Sequence, residues 1–138
     1  DQIKSVAAGE CDLAIANTYY YVRMLKSGKE AERGAAEKVS LFWPNQNGRG
    51  AHVNISGAGV TVSAKNRENA IKLIEFLVGD EAQRTYAETA NEYPVKAGVP
   101  VSATVKALGE FKSDALDIAT LAEHNAEAIK IFDRAGWR

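Results

Sequence analysis

The sequence predicts an α/β fold on three observations. Short apolar runs suited to buried strands alternate with segments whose apolar residues recur every three to four positions. Glycines and prolines stand at the boundaries between them. The strands are too few to close a doubly wound sheet alone, so the chain is expected to be a piece of a larger fold. It also opens at Asp1 in what already reads as the middle of a helix, which supports the same expectation of a fragment or processed piece.

The elements follow in order. Residues 1–8 read as helix and stop at Gly9. Leu13–Ala16 reads as a short buried strand. A helix is expected over Thr18–Ser27, capped by Asn17 or Thr18 and closed by Gly28. Residues 29–38 are charged and Ala-rich, a short surface helix or ordered loop. Val39–Trp43 reads as a strand halted by Pro44, and 45–50 is turn chemistry with Gly48 and Gly50.

His52 to Ala64 reads as extended. Val53, Ile55, Val60 and Val62 supply β-branched positions, while Gly57 and Gly59 imply a bend or bulge. Asn66–Val78 is a strongly amphipathic helix, with Ala70, Ile71, Ile74, Leu77 and Val78 at helical spacing. Gly79 ends it, and Asp80 with Gln83 reads as the capping box of a further helix to about Ala90. Residues 91–100, with Pro94, Gly98 and Pro100, are linker-like. Ser113 or Asp114 opens a final helical region reaching Arg134, with room for a turn near Glu123–Asn125.

Bulk composition narrows the function classes. With 138 residues, 46 % apolar and 25 % charged, the chain is ordinary for a globular domain with a real core. A net charge of −1 argues against a broad electrostatic grip on nucleic acid or anionic membrane. No apolar run approaches a membrane span. The single cysteine, Cys11, rules out an internal disulfide and a cysteine-built metal site.

The segment that carries chemistry is Tyr19-Tyr20-Tyr21, directly after the apolar run and the polar pair Asn17-Thr18. It places two or three phenols in the first turn of a helix. A free phenol has a pKa near ~10, but a bound metal favours the deprotonated ligand and releases its proton. Hard oxygen anions suit hard cations such as a trivalent metal. The free N–H groups and dipole of a helix N-terminus favour the same negative charge. The competing reading is packing: tyrosines are common where a ring is buried and its hydroxyl stays wet.

The stretch from Gly9 through Asn17-Thr18-Tyr19-Tyr20-Tyr21 closely resembles the tyrosine segment of bacterial periplasmic ferric-ion-binding proteins. Residues 47–60, the helix 69–77 with Gln83, and Asn91-Glu92-Tyr93-Pro94-Val95 resemble later blocks of that family in the same order. The resemblance implies a portion of a two-lobe periplasmic solute-binding fold of class II type, mostly the C-terminal lobe with a crossover segment. It divides the chain into 1–50 carrying the tyrosine motif, 51–93 as crossover strand and helix pair packing with the other lobe, and 94–138 as return segment and C-terminal helices.

The resemblance further implies that Tyr19 and Tyr20 bind Fe(III) as phenolates. Asn17 would belong to the pocket for a synergistic anion or water, and Tyr21 to packing or the surroundings of the ligands. The implied protein is exported to the periplasm, its signal peptide lying outside this chain, and is no enzyme. It delivers iron to an ABC transporter permease in the inner membrane. The N-terminal part of the same protein would supply the remaining ligands, so this chain holds at most half a coordination sphere. The alternative keeps the fold and exchanges iron for an anion, sugar or other small polar solute.

Other residues read more plainly. Cys11 is expected to be a small buried hydrophobe beside a strand. His124 falls on a polar helical stretch, and His52 begins a strand beside a Gly-rich turn, where a cleft role is open to it. Gly48-Arg49-Gly50 reads as an ordinary turn before an anion cradle, Tyr93 as packing, Trp43 as core and Trp137 as a terminal anchor. No paired carboxylates, nucleophile elbow, phosphate loop or His cluster supports catalysis.

Overall fold

The expected helices form, whereas the expected strands find no neighbour to pair with. The computed structural model describes residues 2–137. Described residues up to Phe42, with Asn54–Glu110, make one compact unit; Trp43–Val53 with the chain from Phe111 onward make a second.

In the first unit, helix α1 (Gln2–Ala8) stops at Gly9, whose φ of +77° suits glycine. Asp1 lies outside the described residues. Helix α2 is Thr18–Leu25 and α3 is Glu30–Glu37. Helix α2 ends before Gly28: the Lys26 and Ser27 N–H groups already bond back to Val22 and Met24 carbonyls, at 3.0 and 3.1 Å. Helix α3 packs against both α1 and α2. Val22 and Ala36, one from each of α2 and α3, are fully buried. Burying a valine side chain contributes about 1.5–3 kcal/mol.

Helix α4 (Arg67–Leu77) turns at Gly79 into α5 (Asp80–Thr85). A π-helical turn, Tyr86–Ala90, prolongs α5 and ends at Asn91 in the left-handed conformation, φ 59° and ψ 36°. A short helix absent from the sequence reading, α6 (Ala103–Lys106), is capped by Ser102, whose hydroxyl accepts the Val105 N–H at 3.3 Å.

The capping box expected at Asp80 and Gln83 does not form. Gly79 takes the cap position, with no side-chain bond there. Asp80 pairs instead with Lys96 and, at 3.7 Å, with Arg84. Its hydrogen bond to Lys96 holds the carboxyl below its ordinary value. Buried Gln83 donates to the Leu77 carbonyl at 2.7 Å and accepts the Val95 N–H at 2.8 Å. The two residues together tie 95–96 to α5. Gln83→Ala leaves a carbonyl and an N–H without these partners and should lower unfolding stability by about 2 kcal/mol, read from the urea midpoint.

In the second unit, 44–49 forms the turn. Gly48 and Gly50 N–H groups both reach the Asn45 carbonyl, at 2.9 and 3.0 Å. Ala51 makes an isolated parallel bridge to Ser113, with Ala51 N–H to Lys112 O and Asp114 N–H to Ala51 O both at 2.8 Å. Gln46 accepts the Lys112 N–H at 2.7 Å, and Arg49 pairs with Asp114 at 2.6 Å. Trp43 stacks on Phe111 with ring centroids 4.1 Å apart. Helix α7 (Ile118–Ala135) starts at Asp117, whose carboxylate accepts the Ala119 N–H at 2.9 Å, later than the expected Ser113 or Asp114. It runs through Glu123–Asn125 without a turn and ends at left-handed Gly136. Trp137 anchors less than expected: it is exposed, its ring 6.4 Å from Phe132.

Among the described residues, Leu13–Ala16, Val39–Trp43 and His52–Ala64 form no strand. A strand is stabilised by a partner's backbone and by burial of its faces. Leu13 and Ile15 are 76 % and 80 % exposed, and Phe42 is 84 % exposed. Cys11, expected to be buried, is exposed for the same reason: nothing among the described residues covers the run it flanks. No residue of α4 or α7 is buried, although both helices are amphipathic.

Candidate metal centre

The start of α2 sets the site. Asn17 occupies the N-cap with extended backbone, φ −73° and ψ 144°. Its side chain does not cap the helix; its Nδ2 donates to the Tyr19 hydroxyl at 3.1 Å. The Tyr20 N–H bonds the Asn17 carbonyl at 3.2 Å, which starts the first turn and draws Tyr19 and Tyr20 together. Their ring centroids lie 4.3 Å apart, tilted by 47°. Tyr20 is 50 % exposed and Tyr19 half-buried, so the pair opens to solvent.

The Tyr20 phenol sits above its ordinary value of 10.0. The hydrogen bond with Tyr19 is the main cause, followed by that phenol's charge; Arg23 pulls the other way. Tyr21 points elsewhere. Its hydroxyl donates to the Val39 carbonyl at 3.3 Å, tying α2 to the residue that follows the end of α3. Adjacent residues on a helix face about 100° apart, so the fraying first turn brings two phenols together while the third packs.

The remaining candidates read as follows. His52 and His124 are exposed. Arg49 is engaged by Asp114, which leaves Gly48-Arg49-Gly50 an ordinary turn. Burial raises the Tyr93 phenol above its ordinary value, in keeping with packing. Among the described residues no three His, Cys, Asp or Glu side chains gather into a metal-holding group. The two phenol oxygens, with the Asn17 Nδ2 on the Tyr19 hydroxyl, stand together at the start of α2.

The chain belongs to the bacterial extracellular solute-binding proteins, whose family pattern matches residues 1–113. It is 51 % identical over 137 residues to iron uptake protein A1 of Synechocystis, covering 99 % of this chain and 38 % of that protein. Its structure resembles that of the Trichodesmium IdiA (FutA) protein in complex with iron and citrate, with a TM-score of 0.94 and 51 % identity, over 99 % of this chain and 43 % of that one. It also resembles the ferric binding protein of Campylobacter jejuni, with a TM-score of 0.93 and 38 % identity, over 100 % of this chain and 44 % of that one. The resemblance to ferric-ion-binding proteins seen in the sequence is thus borne out. The chain spans about two fifths of the length of these relatives. It is a portion of their two-lobe fold, and the α/β class belongs to that whole.

Proposed function

We propose that Tyr19 and Tyr20 bind Fe(III) as phenolates, in a protein that carries iron across the periplasm to an ABC-type permease. The observation that carries this reading is the pair of adjacent phenols, their rings 4.3 Å apart, open to solvent and with the Tyr19 hydroxyl held by Asn17. Its relatives' names support the cargo: an iron uptake protein and ferric binding proteins. Asn17 orients the Tyr19 oxygen and stands ready for an anion or water beside the metal. Because the Trichodesmium relative was solved with iron and citrate, a carboxylate-bearing anion is the co-ligand to test first. Tyr21 supports α2 from behind. The other ligands come from the rest of the longer protein, and the work is binding and release, with no bond made or broken in a substrate. On the same reading, 1–50 belongs to the tyrosine-bearing lobe, 51–93 crosses towards the other lobe, and 94–138 returns.

The closing of two lobes would exclude water and strengthen the attraction between phenolates and ion. Release follows from opening, from return of protons to the phenols, or from reduction of the metal. The test is optical. Ferric ion added to the protein should raise a visible tyrosinate-to-iron charge-transfer band, lost in Tyr19→Phe and Tyr20→Phe. A colourless complex, or a band indifferent to both substitutions, overturns the assignment.

Acid provides a second check. Binding displaces protons from both phenols, and the Tyr20 proton is held more tightly than usual by its neighbour. Below the phenol range, affinity should therefore fall by up to about 100-fold for each unit the pH drops, two protons being returned. A slope of zero in competition titrations would mean that the phenols stay protonated.

A further inference from the structure

The opposite end of α2 borders an open cleft of about 410 Å³, lined by Arg23, Lys26, Ser27, Lys29, Glu32, Thr89 and Asn91. From its position at the end of the π-helical turn, Asn91 projects a side chain that belongs to a residue only 6 % exposed. Its Oδ1 accepts a hydrogen bond from Lys26 Nζ at 2.9 Å, which fixes the orientation of the amide. The Asn91 Nδ2 has no hydrogen-bond partner among the described residues, yet it is not sealed from solvent. A solvent-accessible amide nitrogen of a largely buried residue thus borders the cleft with its donors unused.

The other groups are donors too. Arg23 has no hydrogen bond or ion pair among the described residues. Lys26 spends one N–H on Asn91 and keeps two. Lys29 lies 3.3 Å from Glu32. The single carboxylate is already occupied: Ser27 Oγ donates to it at 2.6 Å, and Lys29 and Lys4 stand beside it. Those contacts, the Ser27 bond first, hold Glu32 below its ordinary value and therefore charged. Thr89 spends its hydroxyl proton on the Thr85 carbonyl at 2.6 Å. Three cations against one carboxylate leave the lining with a formal charge of 3 − 1 = +2.

We infer that this cleft is a binding site for a small multivalent oxyanion, of the size of phosphate up to a tricarboxylate. Arg23 supplies the planar fork that matches an oxyanion edge, Lys26 and Lys29 supply point charge, and Asn91 Nδ2, on a side chain held by Lys26, supplies the oriented donor that fixes the anion's position. The volume falls in the range of small-ligand sites. The site needs no metal.

The test uses the ¹⁵N-labelled chain without metal, titrated with inorganic phosphate at constant ionic strength. The Asn91 side-chain amide signals and the backbone signals of Lys26 and Ser27 should move along one saturable curve. Arg23→Gln, which removes no bond within the described residues, should weaken binding at least about tenfold, and Lys26→Gln should do the same. Lys130→Gln on α7 should leave the curve unchanged. Shifts that never saturate, or a curve indifferent to Arg23→Gln in a folded variant, overturn the proposal. So does binding of an acidic peptide where phosphate and citrate give nothing, which would make the cleft a seat for an acidic protein segment.

Discussion

Ferric affinity of the Tyr19→Phe, Tyr20→Phe double variant falls by at least about a thousandfold in chelator competition, while its far-UV spectrum is unchanged. On the proposed ligation each substitution deletes one anionic oxygen and leaves a ring to occupy the same space, so the loss is of charge and coordination. Changes to groups that merely orient ligands typically cost 10–100-fold, and the removal of two ligands exceeds that. Asn17→Ala belongs in the lower range, about 10–100-fold, because it frees the Tyr19 oxygen that Nδ2 now holds at 3.1 Å. Tyr21→Phe separates the roles within the triplet. It should cost about 1 kcal/mol of stability through its lost bond to Val39 and leave the visible band intact. Equal loss of iron from Tyr21→Phe and Tyr19→Phe would refute this division of labour.

Gly50→Ala is expected to be the most damaging single-methyl change, costing about 3 kcal/mol or more in urea unfolding. Gly50 has φ +99°, and a Cβ there would meet the Lys112 carbonyl oxygen and the Ser113 carbonyl group at 2.7 Å. Those are backbone atoms, held by the bridge between Ala51 and Ser113, and cannot step aside as a flexible side chain would. Gly9 is the control. Its φ is +77° but a Cβ would stand in open space, so Gly9→Ala should cost only about 1 kcal/mol. Similar losses at both positions would mean that the close approach at Gly50 carries no weight.

Helices and turns were legible because their signals are local. The spacing of Ala70, Ile71, Ile74 and Leu77 located α4 to within a residue at each end, and Gly9 marked the end of α1. The tyrosine corner was legible for the same reason, since its members are adjacent in the chain. Strands are different: an apolar run states that a segment could pair, and the pairing itself depends on residues far away. Leu13–Ala16 and His52–Ala64 have the composition of strands but no neighbouring ladder among the described residues.

The capping box failed by a subtler route. Asp80 and Gln83 have the right spacing, but a polar side chain takes the best partner in three dimensions, and Gln83 found Val95, twelve positions on. The anion cleft was invisible for that reason as well. Lys26 and Asn91 stand 65 positions apart, and no periodicity links them. A lone asparagine that tolerates left-handed backbone was the nearest thing to a signal.

The bonds that replaced the capping box form a continuous mechanical route. Gln83 grips Leu77 on one side and Val95 on the other, Asp80 grips Lys96, and a few residues back along the same strip Asn91 holds Lys26 at the foot of the tyrosine helix. Side-chain and main-chain bonds thus run without a break from the α4–α5 corner to the helix bearing Tyr19 and Tyr20. A double-mutant cycle between Gln83 and Lys26 measures how much energy travels that way.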